Sequence, residues 1–300
     1  MELLRLIEGI RTPFLDTLFE LITMLGEEMI LILVFCLLFW CINKRMAYVM
    51  GIVFFVSGLA VQGAKVIFRV PRPWIADPTF TPVPGALHYA TGYAFPSGHT
   101  QAGASLLGSL GAQLRPIVVK VVLFTLAVLV GFSRMYLGVH TISDVIVSLV
   151  ITFSILVLTL NFFPKDGTEI NKKHEFIWSL SIFLFAVAVL VLAAVMYLTG
   201  TVDHGNVRDS VIVGGSSIGF AVGMYVERVY IRFSVKSKNI FLQILKFVIG
   251  VAGTLALQEG LRIFGSGLVM DAIRYFFMVT WITLFFPLII KRFFSIPGSN

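Results

Sequence analysis

Apolar and polar positions follow one another along this chain in long blocks. Nine stretches are apolar for long enough to span a bilayer, approximately residues 24–42, 47–68, 97–113, 117–134, 140–162, 176–198, 210–231, 240–264 and 268–290. The criterion is physical, because a hydrocarbon core about 30 Å thick takes about 20 apolar residues of helix. The third stretch is the shortest and starts inside a polar motif. Ahead of the first, residues 1–20 set Leu3, Leu4, Ile7 and Ile10 against Glu2, Arg5 and Glu8, which predicts an amphipathic helix lying in the interface. Two polar stretches interrupt the pattern. Residues 69–99 carry six prolines and no apolar run, and residues 164–175 read as a solvated linker. The linker leaves five spans before it, in residues 1–163, and four after it, in residues 176–300.

Composition supports a membrane solvent. Hydrophobic residues make up 58% of the 300 and charged residues 13%, about half the charge of an average soluble domain. That excludes a disordered chain and an ordinary soluble one. The N-terminus has no pattern of basic, apolar and small-residue segments, so a cleaved signal peptide is not expected. Cys36 and Cys41 share one helical stretch without facing each other, and no disulfide is expected.

The net charge of +7 reads as topology and anion handling, and gives no support to a nucleic-acid partner. Loops at 43–46, 113–120, 164–174 and 228–246, with the C-terminal tail, hold 14 of the 23 basic residues. The positive-inside rule makes that side cytoplasmic. It predicts an outside N-terminus, an inside C-terminus and an extracytoplasmic 69–99 loop.

Polar groups at membrane depth are costly, so they are the candidates for chemistry. Three clusters qualify: Lys65 with Arg72 and Pro73; Pro96-Ser97-Gly98-His99; and Ser133-Arg134 with His140 and Asp144. Alternating span direction brings all three to one membrane face. Lys65, Arg72 and Arg134 gather positive charge that calls for an anion, and guanidinium forks suit phosphate oxygens. Ser97-Gly98 opens a helix, where free N–H groups favour an anion. Asp144 follows His140 by four residues, which on a helix starting near His140 puts both on one face. The carboxylate can then hold one imidazole nitrogen and leave the other to attack. The assembly describes phosphoryl transfer with covalent catalysis.

Other polar residues have plainer readings. Arg69, Arg262 and Arg274 read as interfacial anchors, and His88, His174 and His204 as structural. The four tryptophans read as interfacial or packing residues. Glu27 and Glu28 read as interfacial or locally paired, and Glu259 as a partner of Arg262. Gly214, Gly215, Ser216, Ser217 and Gly219 read as a close helix contact.

The pattern K-x6-RP, PSGH, SR-x5-H-x3-D resembles the three-part signature of the type 2 phosphatidic acid phosphatase (PAP2) superfamily, with every signature position matched across residues 47–163. The resemblance implies an all-α polytopic membrane bundle of about nine transmembrane helices. Residues 1–163 would be the catalytic core, 164–175 a cytoplasmic linker, and 176–300 additional helices of no assigned role. It implies His140 as nucleophile through a phosphohistidine, Asp144 orienting it, and His99 as general acid. Lys65, Arg72, Ser97, Gly98 and Arg134 would bind the phosphoryl oxygens, and Ser133 would support the site structurally. It implies no cofactor and no metal. The substrate would be a lipid phosphate or diphosphate at the extracytoplasmic face. The extra C-terminal spans also resemble the glucose-6-phosphatase and sphingosine-phosphate phosphatase branches. Two alternatives follow, a phosphatase for a soluble sugar phosphate and a non-catalytic anion-binding transporter; the pair His99 and His140 argues against the second.

Overall fold

Helix starts follow from local capping, in which a side-chain oxygen accepts an otherwise unsatisfied backbone N–H. Thr12, Asn43, Asn171, Asp203 and Asn239 each do so at the head of a helix. The computed structural model describes residues 1–164 and 171–294, which are mostly helical, with no strand among the described residues. In order they are α1 (Glu2–Glu8), α2 (Pro13–Met24), α3 (Glu28–Ile42), α4 (Lys44–Phe68), α5 (98–113), α6 (Ile117–Tyr136), α7 (Ile142–Phe162), α8 (Lys172–Leu198), α9 (His204–Ile231), α10 (Ile240–Phe264) and α11 (Leu268–Phe293). The expected linker falls partly on residues 165–170, which lie outside the described residues.

Seven of these helices, α4 and α6 to α11, are long and apolar enough to cross a membrane. The expected count of nine is not reached, for two reasons. The first stretch is broken at Leu25-Gly26-Glu27, where α2 and α3 meet at a bend of 43°. At 1.5 Å per residue α3 is about 22 Å long, short of the hydrocarbon thickness, and only α2 and α3 together would make an eighth span. The short third stretch forms α5, about 24 Å long, with a π-helical turn at Ala104–Gly108. The predicted single interfacial helix over residues 1–20 is also corrected. Gly9, Ile10 and Arg11 separate α1 from α2, and Pro13 starts the second helix.

The bundle is organised around α4 and α9. Over their most apolar windows these are 72% and 67% buried, against 28% for each of α6, α7 and α8. The difference separates helices packed on all sides from helices whose apolar surface is left for lipid. α9 packs mainly on α11 and α8, and also on α4. Small residues make this possible: a Cβ added at Gly215 would lie 2.4 Å from the carbonyl oxygen of Ala272 on α11. This agrees with the close contact read from the Gly-Ser run.

The end of the bundle remote from the signature residues is closed by buried charge. Glu227, fully buried, accepts from Lys44 Nζ at 2.8 Å and from the Tyr48 hydroxyl. Arg228 donates twice to Glu175, both at 2.6 Å. Such charges persist away from water only when paired, and here the pairs tie α4 and α8 to α9. Arg274 departs from its expected role as an anchor, being buried and paired with Asp271 at 2.5 Å. Glu259 pairs with Arg262 at 2.6 Å as expected.

Candidate active site

Successive helices run in opposite directions, so the C-terminal ends of α4 and α6 meet the N-terminal ends of α5, α7 and α9. A cavity of about 270 Å³ lies there. Lys65, Arg72, Gly98, His99 and His140 line it. Ser97, Arg134 and Asp144 do not, and are buried behind the lining residues.

The local chain explains the position of His140. It lies in the turn between α6 and α7, where its N–H and that of Val139 donate back to the Arg134 carbonyl. Asp144 is the third residue of α7 and forms a reciprocal capping pair with Thr141. Its Oδ2 accepts the Thr141 N–H at 2.7 Å and lies 3.3 Å from His140 Nδ1. The expected approach of His140 and Asp144 is therefore present, but a helix cap creates it. His140 precedes the helix, so the two do not share a helical face.

The tautomer of His140 follows from its neighbours. Arg72 Nη1 lies 2.9 Å from His140 Nε2, and a guanidinium can only donate. Nε2 is thus the acceptor, and Nδ1 carries the proton and donates to Asp144. Burial first, then the cations Arg72, Arg134 and Lys65 with His99, holds the His140 imidazole well below its ordinary pKa. The ring is neutral, with the Nε2 lone pair directed into the cationic side of the cavity.

The proline-rich loop has a second task that its sequence did not disclose. Its backbone carbonyls hold the cations in place. Lys65 Nζ donates to Tyr93 O at 2.8 Å, Arg72 Nε to Gly92 O at 3.0 Å, and Arg72 Nη2 to Thr91 O. Arg72 Nη1 also reaches Val139 O at 3.0 Å. Neutral carbonyls orient the cations without cancelling their charge, which stays available to an anion. The loop is folded accordingly, with a helical turn at Pro73–Ala76 and a 3-10 turn at Pro84–Tyr89.

Ser97 caps α5, its hydroxyl accepting from Thr100 N at 3.4 Å, while its own N–H donates to Asp144 O at 3.1 Å. This couples the second signature segment to the third. Ser133 donates to Val130 O at 2.7 Å, a structural contact as expected. Arg134 reaches Thr23 Oγ1 at 3.0 Å, and its buried Nε and Nη2 find no acceptor among the described residues.

Sequence reasoning missed part of the lining. Glu27 Oε1 lies 3.0 Å from His99 Nε2, and Glu28, Gln62, Arg208, Asp209 and Tyr275 share the same cavity. His88, read as structural, also lines it. The signal for Glu27 and Glu28 was an acidic pair heading an apolar run. Asp209 and Tyr275 gave no local signal, because α9 and α11 reach the site only through tertiary packing.

These features define a polytopic integral membrane protein with a histidine–carboxylate pair beside a cavity that carries charge of both signs at one end of its bundle. Two family models match the chain, the PAP2 superfamily over residues 45–168 and the PAP2 superfamily phosphatase transmembrane extension over residues 211–296. Residues 45–168 and 211–296 thus carry PAP2 superfamily sequence.

Among similar proteins, mouse sphingosine-1-phosphate phosphatase 1 is 27% identical over 214 residues, 69% of this chain and 47% of that protein. Phosphatidylglycerophosphatase B of Haemophilus influenzae is 28% identical over 166 residues, 41% of this chain and 68% of that protein. The chain thus spans about half the length of the mouse relative. The crystal structure of Aquifex aeolicus LpxE is 28% identical, covering 54% of this chain and 94% of that one with a TM-score of 0.47.

Proposed function

We propose that this protein hydrolyses phosphate esters of lipids through a phosphohistidine on His140. The observation that carries the reading is the Arg72–His140–Asp144 arrangement, with Nε2 as acceptor and Nδ1 held by the carboxylate. A phosphate entering beside Lys65 and Arg72 replaces Nε2 as the acceptor for the Arg72 N–H. The Nε2 lone pair then attacks phosphorus. The Nε2–P bond forms, the bond from phosphorus to the lipid oxygen breaks, and His99 delivers a proton to that oxygen. Water next attacks phosphorus, giving its proton to His99, and inorganic phosphate leaves as His140 is restored.

In this reading Lys65, Arg72 and Gly98 stabilise the equatorial oxygens from the cavity lining, and Ser97 and Arg134, buried behind it, add the helix cap and a positive charge. The unpaired N–H groups of Arg134 support that role. Residues 1–163 act as the catalytic core, and the extension in 176–300 closes the cavity. The names of the relatives support a lipid substrate, and the charge asymmetry of the loops supports an extracytoplasmic site.

The test is phosphate release by purified protein, in EDTA, from phosphatidic acid, undecaprenyl diphosphate, sphingosine 1-phosphate and glucose 6-phosphate. Release from at least one lipid, abolished in His140→Ala, is expected. Silence on every lipid, or full activity in the variant, overturns the reading.

A further inference from the structure

Three consecutive backbone carbonyls, those of Thr91, Gly92 and Tyr93, aim Lys65 and Arg72. A carbonyl can aim a cation only if it is itself held, and residues 91–93 lie outside the helical turns of the proline-rich loop. What holds them is the C-terminal extension. The Thr91 hydroxyl donates to Asp209 Oδ2 on α9 at 2.8 Å, across 118 residues of sequence. Gly92 turns the chain with φ +61°, and a Cβ built on it would meet Asn206 Oδ1 at 3.8 Å and Asp209 Oδ2 at 3.9 Å, so its open side rests on the first turns of α9. Tyr93 packs against a buried cluster that joins Val66 on α4 and Ala193 on α8 to Val207 and Val211 on α9. All three residues give their carbonyls to the cations and other parts of themselves to the extension.

The start of α9 can hold the loop because it is fixed in turn by α11. Arg208, next to Asp209, donates to Asp271 on α11 at 2.7 Å, and Asp271 also pairs with Arg274 at 2.5 Å. Arg208 is thus committed to α11 and Asp209 to the loop. Asp209 is in no ion pair among the described residues, so its carboxylate is left to the Thr91 hydroxyl. A carboxylate acceptor makes a stronger hydrogen bond than a neutral one.

We infer that Asp209 is a positioning residue for phosphate binding: it fixes Thr91, and with it the row of carbonyls that directs Lys65 and Arg72 at the phosphoryl oxygens. The inference rests on the phosphatase reading above and gives the C-terminal extension a task in it. In this role Asp209 contacts neither the phosphate nor the reacting atoms and acts through the loop. Such restraint matters because a displacement of about 1 Å in a positioning group can cost about 10²-fold in rate.

The experiment is a double-variant cycle on the Thr91–Asp209 pair in the full chain in detergent. It is read by kcat/KM for p-nitrophenyl phosphate, by the Kd of orthovanadate, a phosphate mimic, from calorimetry, and by Tm. Thr91→Val keeps the side-chain shape and the backbone carbonyl but removes the hydroxyl. It and Asp209→Ala should each lower kcat/KM about tenfold to a hundredfold and weaken vanadate binding by a similar factor, with Tm unchanged. The double variant should fall no more than about twofold below the worse single one, because both remove the same bond. Thr91→Ser, which keeps the hydroxyl, should recover most of the loss. If Asp209→Ala does not fold, Thr91→Val against Thr91→Ser carries the test, since Thr91 is exposed. Additive losses, an equal loss in Thr91→Ser, or single variants within about twofold of the parent overturn the inference. A lowered Tm with vanadate affinity kept also overturns it. If the unaltered protein releases phosphate from no substrate, the phosphatase reading falls, while vanadate affinity across the variants still decides whether Asp209 aims the cations.

Discussion

Oε1 of Glu27 lies 3.0 Å from Nε2 of His99, so His99, like His140, has its own carboxylate. The two carboxylates arrive by different routes. Asp144 comes from a helix cap four residues after His140, whereas Glu27 comes from the α2–α3 bend, 72 residues before His99. That bend approaches closely because residue 26 is glycine; a Cβ there would lie 2.6 Å from the His99 carbonyl oxygen.

Glu27→Gln should therefore act through His99. A proton donor contributes about 10²–10⁴ in rate, and a misplaced one should cost about tenfold to a hundredfold in kcat on alkyl phosphates, with KM little changed. p-Nitrophenyl phosphate has a leaving group that departs without a proton, so its turnover should fall far less. Glu27→Asp should recover part of the loss. Equal losses on both substrates would show that Glu27 only supports the fold.

Asp144→Asn keeps an acceptor oxygen for the Thr141 N–H and so keeps the cap of α7. It removes the charge that holds the His140 tautomer. The expected loss in kcat is about 10²–10⁴-fold, with unchanged thermal unfolding in detergent. Activity within a few-fold of the parent would show that Arg72 alone orients the ring.

His140 also gives a pH dependence of stability. Its imidazole is held well below the ordinary value by burial and by the surrounding cations. Below about pH 6.5 the unfolded chain binds a proton here that the folded protein does not. The contribution is complete above that pH and is lost as pH falls through the lowered folded value, at up to about 1.4 kcal/mol per pH unit. His140→Gln removes the term, so its Tm should drop less than the parent's between about pH 7 and about pH 5. A parallel drop would mean that His140 is charged in the folded protein.

Gly215→Val tests how the extension meets the core. The added side chain would press on the Ala272 backbone, which cannot rotate away. Overpacking of this kind costs about 1–3 kcal/mol, so Tm should fall. Activity should fall too, because α9 carries Asp209 into the cavity and α11 carries Tyr275. An unchanged Tm would indicate that α9 and α11 separate without penalty.

Much of this molecule was legible in its residues. Seven of the expected spans are present because an apolar run of sufficient length has one stable form in a bilayer, a helix with its own hydrogen bonds satisfied. The convergence of Lys65, Arg72, His99 and His140 followed from counting reversals of direction. Residues 1–42 were read less well. The bend at Leu25-Gly26-Glu27 depends on Gly26 fitting against His99, a contact that no local pattern encodes. Arg274 was misread because its partner Asp271 is visible three residues away, while the burial of both is set by α9 and by Arg208.

Hydropathy, capping and charge act over a turn or two of chain, so the residues alone were enough to set the solvent, the helices and the candidate groups of the cavity. Which oxygens fix those groups depended on long-range packing. The carbonyls of Thr91, Gly92 and Tyr93 hold the cations, Glu27 meets His99, and Glu28, Gln62 and Asp209 share the cavity. Each of these joins segments far apart in the chain, so only the packing of whole helices against one another brings them together.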